Sequence, residues 1–141
     1  MNLIRLGRMT GDPRLEEEAA TLSGAFAESV RRIPSAHAQW LVALEMLAAP
    51  SCEVVIAGRP ETADTRELID VVRRCRSPRP VLLLRPEGEM EPEIAQIAPF
   101  TREMRAIHGR AAAYVCRNYS CQRPVTEPKE LTAILAEAGK R

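Results

Sequence analysis

The chain has 141 residues, of which 45% are hydrophobic and 28% are charged, the composition of an ordinary folded protein rather than a disordered tail. This length allows one core of moderate size or two small cores in contact. The 20 Lys and Arg residues balance 19 Asp and Glu residues, so the net charge is +1. Proteins that bind nucleic acid by neutralising phosphates usually carry a clear basic excess, so we expect no nucleic-acid partner.

Apolar runs in the sequence are short, such as the four residues Val81–Leu84, whereas a membrane span needs eighteen or more. The first twenty residues carry Arg5, Arg8 and three glutamates where a signal peptide has its apolar segment. Four cysteines without a secretion signal are too few for a disulfide scaffold and fit a reducing compartment. We therefore expect a cytoplasmic protein without a membrane partner.

Residues 1–50 have helical apolar spacing and no strand signal. A first helix is predicted to end at Thr10-Gly11, and Asp12 and Pro13 are the expected cap and first residue of the second. Ser35 is the expected cap of a third helix. The second helix should bury one apolar stripe, which consists of Leu15, Leu22, Phe26, Val30 and Ile33.

So short a connection between the first two helices predicts an antiparallel hairpin. These three helices, one hairpin and half of another, cannot bury their apolar faces well alone. We therefore expect residues 1–50 either to associate with a second copy or to pack on helices that precede them in a longer protein.

From residue 51 onward, β-branched apolar runs alternate with amphipathic stretches. Strands are predicted over residues 52–57, 80–85 and 111–116, with Asp64 and Glu67 as a capping box on the helix between the first two. The alternation predicts an α/β fold: a helical hairpin region, residues 1–50, and a small three-layer α/β lobe, residues 51–141, with a three-stranded, mainly parallel sheet.

Ligands of open parallel sheets bind beyond the carboxyl ends of the strands. In this chain that edge would gather residues 58–62, 85–88 and 117–120. The glycine spacing of a nucleotide-binding loop does not occur there, so nucleotide binding is disfavoured. The candidate ligand-binding residues at this edge are Arg59, Arg85, Arg117 and Asn118.

Cys116 and Cys121 are the only redox candidates, since the four residues between them allow a loop-closing disulfide or half of a zinc site. The thioredoxin type of motif has two intervening residues, so its spacing is not met. Free or incidentally oxidised thiols are the simplest interpretation. We predict no metal and no cofactor, because the remaining possible ligands are scattered singly: Cys52, Cys75, His37 and His108.

The segment Ala-Tyr-Val-Cys-Arg-Asn-Tyr-Ser-Cys-Gln-Arg-Pro-Val-Thr-Glu-Pro-Lys-Glu-Leu, residues 113–131, resembles the carboxyl end of the large thioredoxin-domain-containing proteins of unknown function of the spermatogenesis-associated type. Residues 3–15, 34–37 and 52–58 support the resemblance in the same order and approximate spacing. It covers essentially the whole chain.

The resemblance implies a parent protein with an amino-terminal thioredoxin-like domain, then an (α/α) toroid similar to six-hairpin glycosidases and sugar epimerases, then this end. Residues 1–50 would be the last helices of the toroid. The thioredoxin-type cysteines of the family have no counterpart in these 141 residues, so neither their redox activity nor carbohydrate chemistry is carried over. Cys116, Arg117, Asn118 and Cys121 match a motif whose role the family does not define.

Three functions follow as hypotheses. The leading one is a non-catalytic structural or assembly module that completes the parent protein, with the thioredoxin-like and toroid domains as its partners. The alternatives are a thiol redox module using Cys116 and Cys121, and a small-ligand site at the strand ends. No nucleophile elbow or oriented histidine occurs in the sequence, so an enzyme activity of this chain alone is not expected.

Overall fold

The computed structural model describes residues 1–75, 79–88, 92–118 and 120–138. The helices are α1 (Asn2–Thr10), α2 (Pro13–Arg32), α3 (Ala38–Ala48), α4 (Ala63–Arg74), α5 (Ile94–Ile97) and α6 (Pro128–Ala138). Short 3₁₀ turns occupy Pro34–His37 and Pro99–Thr101. The strands are β1 (Glu53–Gly58), β2 (Val81–Pro86), β3 (Ala112–Arg117) and β4 (Ser120–Cys121).

The turn between α1 and α2 forms as the sequence predicts. Gly11 has the left-handed φ of 75° that closes α1, and its N–H donates to the carbonyl of Gly7. Asp12 then caps α2, with its Oδ1 accepting from the N–H of Arg14 at 3.1 Å, and Pro13 is the first helical residue.

The predicted burial of the α2 stripe was wrong. Val30 is buried, but Leu22, Phe26 and Ile33 are 41%, 49% and 54% exposed. The helix packs against α1, α3 and the Pro34–His37 turn, which leave these three side chains exposed. Ser35 is not a helix cap either, because it lies within the 3₁₀ turn and α3 begins at Ala38 without a side-chain cap.

The fold is mixed α/β, as predicted, but the predicted three-stranded, mainly parallel sheet was wrong. In the described part of the chain the strand order is β2-β1-β3-β4. β1 is parallel to β2, with Val54 opposite Leu82, and antiparallel to β3, with Val54 opposite Val115. β4 adds a further antiparallel strand at the edge.

β3 runs antiparallel to β1 because the chain re-enters the sheet at the end where β2 finishes. The connection between them includes α5 and the Pro99–Thr101 turn, and its Pro99 and Phe100 line a cavity with Glu53 and Cys116, at the end where β1 starts. The chain then returns to the other end, where Ala112 is opposite Ala57, and a strand that begins there is antiparallel to β1.

Helices cover both faces of the sheet. On one face, β1 and β3 pack against α4 and α6 in a core that includes Val54, Ile56, Leu68, Val72, Val115, Leu131 and Leu135. On the other face, Val55, Leu83 and Cys116 pack with Ala98 and Met104, and Met9 of α1 lies against them. The first helix of residues 1–50 therefore contacts the sheet directly.

The capping box predicted at Asp64 and Glu67 does not form. No side chain caps α4 at Thr62. Instead the Asp64 carboxylate accepts from the N–H of Thr65 at 2.9 Å and from the N–H of Ala111 at 2.7 Å. Asp64 therefore ties the start of α4 to the start of β3.

Candidate functional site

The candidate ligand-binding residues do not meet at one edge of the sheet, so that prediction was wrong. Because β3 is antiparallel to β1, Arg117 and Asn118 lie near the start of β1, where Glu53 is opposite Cys116. Arg59 and Arg85 lie near the ends of β1 and β2, at the opposite end of the sheet.

Arg85 is a buried residue of the sheet, only 1% exposed. Its Nη1 lies 3.3 Å from Oε1 of Glu87, and the same oxygen accepts from the N–H of Ala106 at 2.8 Å. Burial lowers the pKa of Arg85, and the nearby charge of Arg105 lowers it further. Arg59 is exposed, and its carbonyl accepts from the N–H and hydroxyl of Thr62 in the turn before α4.

At the other end, Cys116 and Cys121 form a disulfide with an S–S distance of 2.04 Å. The two cysteines are opposite each other in the β3–β4 pairing. Cys116 is 3% exposed and belongs to the core beneath α1, whereas Cys121 is exposed. Asn118 begins the turn between them with a left-handed φ of 47°, a conformation that asparagine tolerates.

The remaining two cysteines, Cys52 and Cys75, lie away from the disulfide, on the opposite face of the sheet. Cys52 is buried in the core on the opposite face, and burial, followed by the charge of Glu53, raises its pKa to about 11. Cys75 lies half-buried against the same core. Neither thiol is part of the disulfide.

The disulfide lines a cavity of about 320 Å³ between α1, the sheet and the Pro99–Thr101 turn. Other walls are formed by Arg8, Gly11, Glu53 and Phe100. Sequence analysis did not identify Arg8 or Glu53 as part of a site. Both carried a signal, since Arg8 falls one turn after Ile4 on the buried face of α1 and Glu53 interrupts an apolar strand.

Arg8 is 4% exposed and joins three helices. Its Nη2 donates to the carbonyls of Met46 at 2.7 Å and Ala49 at 3.3 Å, at the carboxyl end of α3. Its Nε lies 3.6 Å from Oε1 of Glu16 on α2. This guanidinium satisfies helix-end carbonyls that would otherwise be unpaired.

Glu53 is 5% exposed, and its Oε2 accepts from the hydroxyl of Ser51 at 3.2 Å. Among the described residues, its Oε1 is buried without a hydrogen-bond partner. Burial raises the pKa of this carboxyl, while Ser51 and the charge of Arg8 oppose the rise. A buried acidic group therefore lies directly across from one sulfur of the disulfide.

Backbone and side-chain hydrogen bonds hold the β3–β4 hairpin on the rest of the fold. The N–H of Asn118 donates to Oγ of Ser51 at 2.9 Å, and its Oδ1 accepts from the N–H of Ser51 at 3.3 Å. Arg117 donates from Nη2 to the carbonyl of Ile134 on α6 at 3.0 Å. Arg117 and Asn118 thus join the β3–β4 hairpin to α6 and to the residue that precedes Cys52.

Among the residues that the structure describes, no group of three or more His, Cys, Asp or Glu side chains is arranged to hold a metal ion. No described helix combines the length and apolarity needed to span a membrane. The chemistry that this site can support is thiol–disulfide exchange at Cys116 and Cys121.

Comparison with known proteins finds similarity to spermatogenesis-associated protein 20 of three mammals. No protein-family model matches the chain, and no solved structure matches it. The chain is 33% identical to spermatogenesis-associated protein 20 of Homo sapiens, 32% identical to that of Rattus norvegicus and 31% identical to that of Mus musculus, each over 134 residues. Those residues are 95% of this chain but only 17% of each relative, so the chain is similar to a small part of spermatogenesis-associated protein 20.

Proposed function

We propose that this chain is a non-catalytic accessory module of a larger protein, located at its carboxyl end. Residues 1–50 complete a helical toroid of that protein, and residues 51–141 form an α/β lobe that closes its end. The toroid and a thioredoxin-like domain of the same protein are its partners, and it acts in the cytoplasm.

The observation that carries this proposal is an exposed apolar set on residues 1–50, which we define as Leu22, Phe26, Ile33 and Leu41. These side chains are 41% to 54% exposed. Leu22 and Phe26 are four residues apart and share one face of α2, and Ile33 directly follows the last residue of that helix. The ring of Phe26 contacts Trp40 of α3 edge-on, with centroids 5.1 Å apart, which joins this face to α3.

The sequence of α3 supports the same conclusion. Ala-Gln-Trp-Leu-Val-Ala-Leu-Glu-Met-Leu-Ala is apolar on nearly all sides, yet Ala43 is its only buried residue. Helices that are hydrophobic all round belong in the interior of a larger assembly. By contrast, the apolar residues on both faces of the sheet are buried within this chain, on one face partly by α1.

Similarity to proteins of which this chain spans 17% further supports a place in a longer polypeptide. Residues 1–50 resemble the end of a toroid, so we infer that the preceding helices of the same protein cover the exposed apolar set. In the isolated chain those helices are missing, and the same face of a second copy can take their place.

The test is the molar mass of the isolated chain by light scattering as its concentration is raised, with parallel binding of a dye for apolar surfaces. We expect a mass that rises above 15.6 kDa with concentration. Ile33→Lys should suppress the rise, because it adds a charge to the exposed apolar set. A chain that remains monomeric at high concentration and binds no dye would contradict the proposal.

The control is Ile97→Lys on α5. Ile97 is 58% exposed, close to the 54% of Ile33, but lies in the connection between β2 and β3. This variant should self-associate like the wild type. If both variants suppress association equally, the exposed apolar set is not the contact surface.

A further inference from the structure

The two sulfurs of the Cys116–Cys121 disulfide are reached very differently from solvent. Cys121 is exposed on the edge strand β4, whereas Cys116 is 3% exposed and packs with Val55 and Leu83. A thiolate attacks a disulfide along the line of the S–S bond and needs access to the sulfur that it attacks. Geometry therefore makes Cys121 the attacked sulfur and Cys116 the leaving sulfur.

Opening the disulfide does not require the hairpin to unfold. Below the cysteine pair, the N–H of Gln122 donates to the carbonyl of Val115 at 2.9 Å. Ala113 and Val125 exchange two further backbone hydrogen bonds, at 2.8 and 3.0 Å. Above it, Asn118 is bound to Ser51. None of these bonds involves the sulfurs, so we expect them to remain when the disulfide is opened.

A proton partner for the leaving sulfur is already in place. Glu53 is directly opposite Cys116 in the β1–β3 pairing, so the two side chains are on the same face of the sheet. Both line the same cavity. Oε1 of Glu53, buried and without a hydrogen-bond partner among the described residues, would gain one from a Cys116 thiol.

We propose that Cys116–Cys121 is a reversible thiol-exchange site for a dithiol reductant, in which Cys121 is attacked, Cys116 leaves and Glu53 is the proton partner of Cys116. This site is additional to the assembly role and does not depend on it. The cavity beneath α1 would then be the place where Glu53 and Cys116 exchange a proton.

The exchange has two steps. A thiolate of the reductant attacks Sγ of Cys121 and forms a mixed disulfide, while the S–S bond breaks and Sγ of Cys116 leaves with the electron pair. Sγ of Cys116 takes the proton of the Glu53 carboxyl, which is replenished from water. The second thiol of the reductant then attacks its own mixed-disulfide sulfur, so that Cys121 leaves as a thiolate and is protonated by water. The protein disulfide is reduced to two thiols, and the dithiol is oxidised to a disulfide.

Several charged or titratable groups act on Glu53 in this position. Arg8 of α1 favours the carboxylate, whereas Glu16 of α2 disfavours it. Cys52, the neighbour of Glu53 before β1, interacts with it through charge. Ser51 donates to the other carboxyl oxygen.

The first experiment tests which sulfur is accessible. Cys116→Ser leaves the Cys121 thiol, and Cys121→Ser leaves the Cys116 thiol; each is mixed with 5,5′-dithiobis(2-nitrobenzoic acid). The double variant, which retains Cys52 and Cys75, gives the background. We expect the Cys121 thiol to react about tenfold faster than the Cys116 thiol, in line with its exposure. Equal rates would overturn the assignment of attacked and leaving sulfurs.

The second experiment tests Glu53. The disulfide of the intact chain is reduced by dithiothreitol over a range of pH, and cysteines are counted by alkylation and mass. After correction for the ionisation of dithiothreitol, the wild-type rate should fall as pH rises and Glu53 loses its proton. Glu53→Gln should react more slowly at low pH, by about a hundredfold, the lower end of the usual contribution of a positioned proton donor, and its rate should not fall as pH rises.

Glu127→Gln is the matched control, because Glu127 is exposed and pairs with Arg110 away from the disulfide. It should keep the wild-type pH profile. Unfolding curves of both variants separate a loss of fold from a loss of proton transfer. If correctly folded Glu53→Gln has the wild-type profile, Glu53 is not the proton partner and the proposal fails in that part.

Discussion

At the scale of single residues, Arg8 is the most connected side chain in the helical part. Its guanidinium donates to two carbonyls at the end of α3 and pairs with Glu16. Arg8→Met keeps the length of the apolar stem but leaves these buried groups without their partner. We expect a loss of about 2–3 kcal/mol in the free energy of unfolding, measured by urea denaturation. Arg5→Met, at an exposed position of the same helix, should change it by less than about 0.5 kcal/mol.

Substitution by alanine should change the stability of the fold in opposite directions at Gly58 and Gly24. A Cβ on Gly58 would collide with Oγ1 of Thr65 and would lie 2.8 Å from Cβ of Ala111, so Gly58→Ala forces α4 or β3 to shift. We expect it to destabilise the fold by about 1–3 kcal/mol. A Cβ on Gly24 meets nothing within 4 Å in the helix α2, so Gly24→Ala should stabilise it by about 0.5–1 kcal/mol. Thermal unfolding of both variants checks the pair, and a stabilising Gly58→Ala would contradict the close packing of β1.

At the scale of elements, the carboxylate of Asp64 joins α4 to β3. Its hydrogen bonds, above all the one from the N–H of Ala111, hold the pKa of Asp64 below its usual value. A lowered folded-state pKa stabilises the fold above the unfolded-state value and is lost as pH falls through the folded-state value. Asp64 therefore contributes stability at neutral pH that disappears below about pH 4.

The measurement is the urea midpoint at about pH 5 and about pH 3. The wild type should lose more stability between these values than Asp64→Asn, which has no carboxylate to protonate. Asp70→Asn, an exposed position on the same helix, should behave like the wild type. Equal acid sensitivity of Asp64→Asn and the wild type would show that the contact with Ala111 contributes nothing.

The element scale also shows what the sequence can predict. All three predicted strands occur within one residue of their predicted bounds, because each is a run of apolar residues between turn signals. The direction of β3 was missed, because an apolar run predicts a strand but not the direction in which that strand enters the sheet. β4 was missed because two residues are too few for any alternating pattern.

The disulfide illustrates a second limit. It closes a loop with a sequence separation of five residues, for which the chain-entropy model gives a stabilisation of about 2 kcal/mol, against roughly 4–5 kcal/mol for a loop of 100 residues. Spacing alone allowed the pairing but could not require it. The pairing follows from the antiparallel hairpin, which places Cys116 and Cys121 opposite each other.

At the scale of the whole molecule, the candidate site depended on the strand directions and could not be assembled from the sequence. Arg117 and Asn118 were expected beside Arg59 and Arg85 but lie at the other end of the sheet. Glu53 and Arg8, which line the cavity with the disulfide, are distant in sequence from Cys116 and come close only when β1 pairs with β3 and α1 packs on the sheet. The exposure of Leu22, Phe26 and Ile33 could not be predicted from the sequence either, because helical spacing shows an apolar face but not what covers it.

If this chain functions as part of a larger polypeptide, the native product in the source cells is larger than the chain itself. The most direct test is the mass of that product, detected with an antibody to residues 111–141. We expect a product several times larger than the 15.6 kDa of this chain. A product of 15.6 kDa would contradict it.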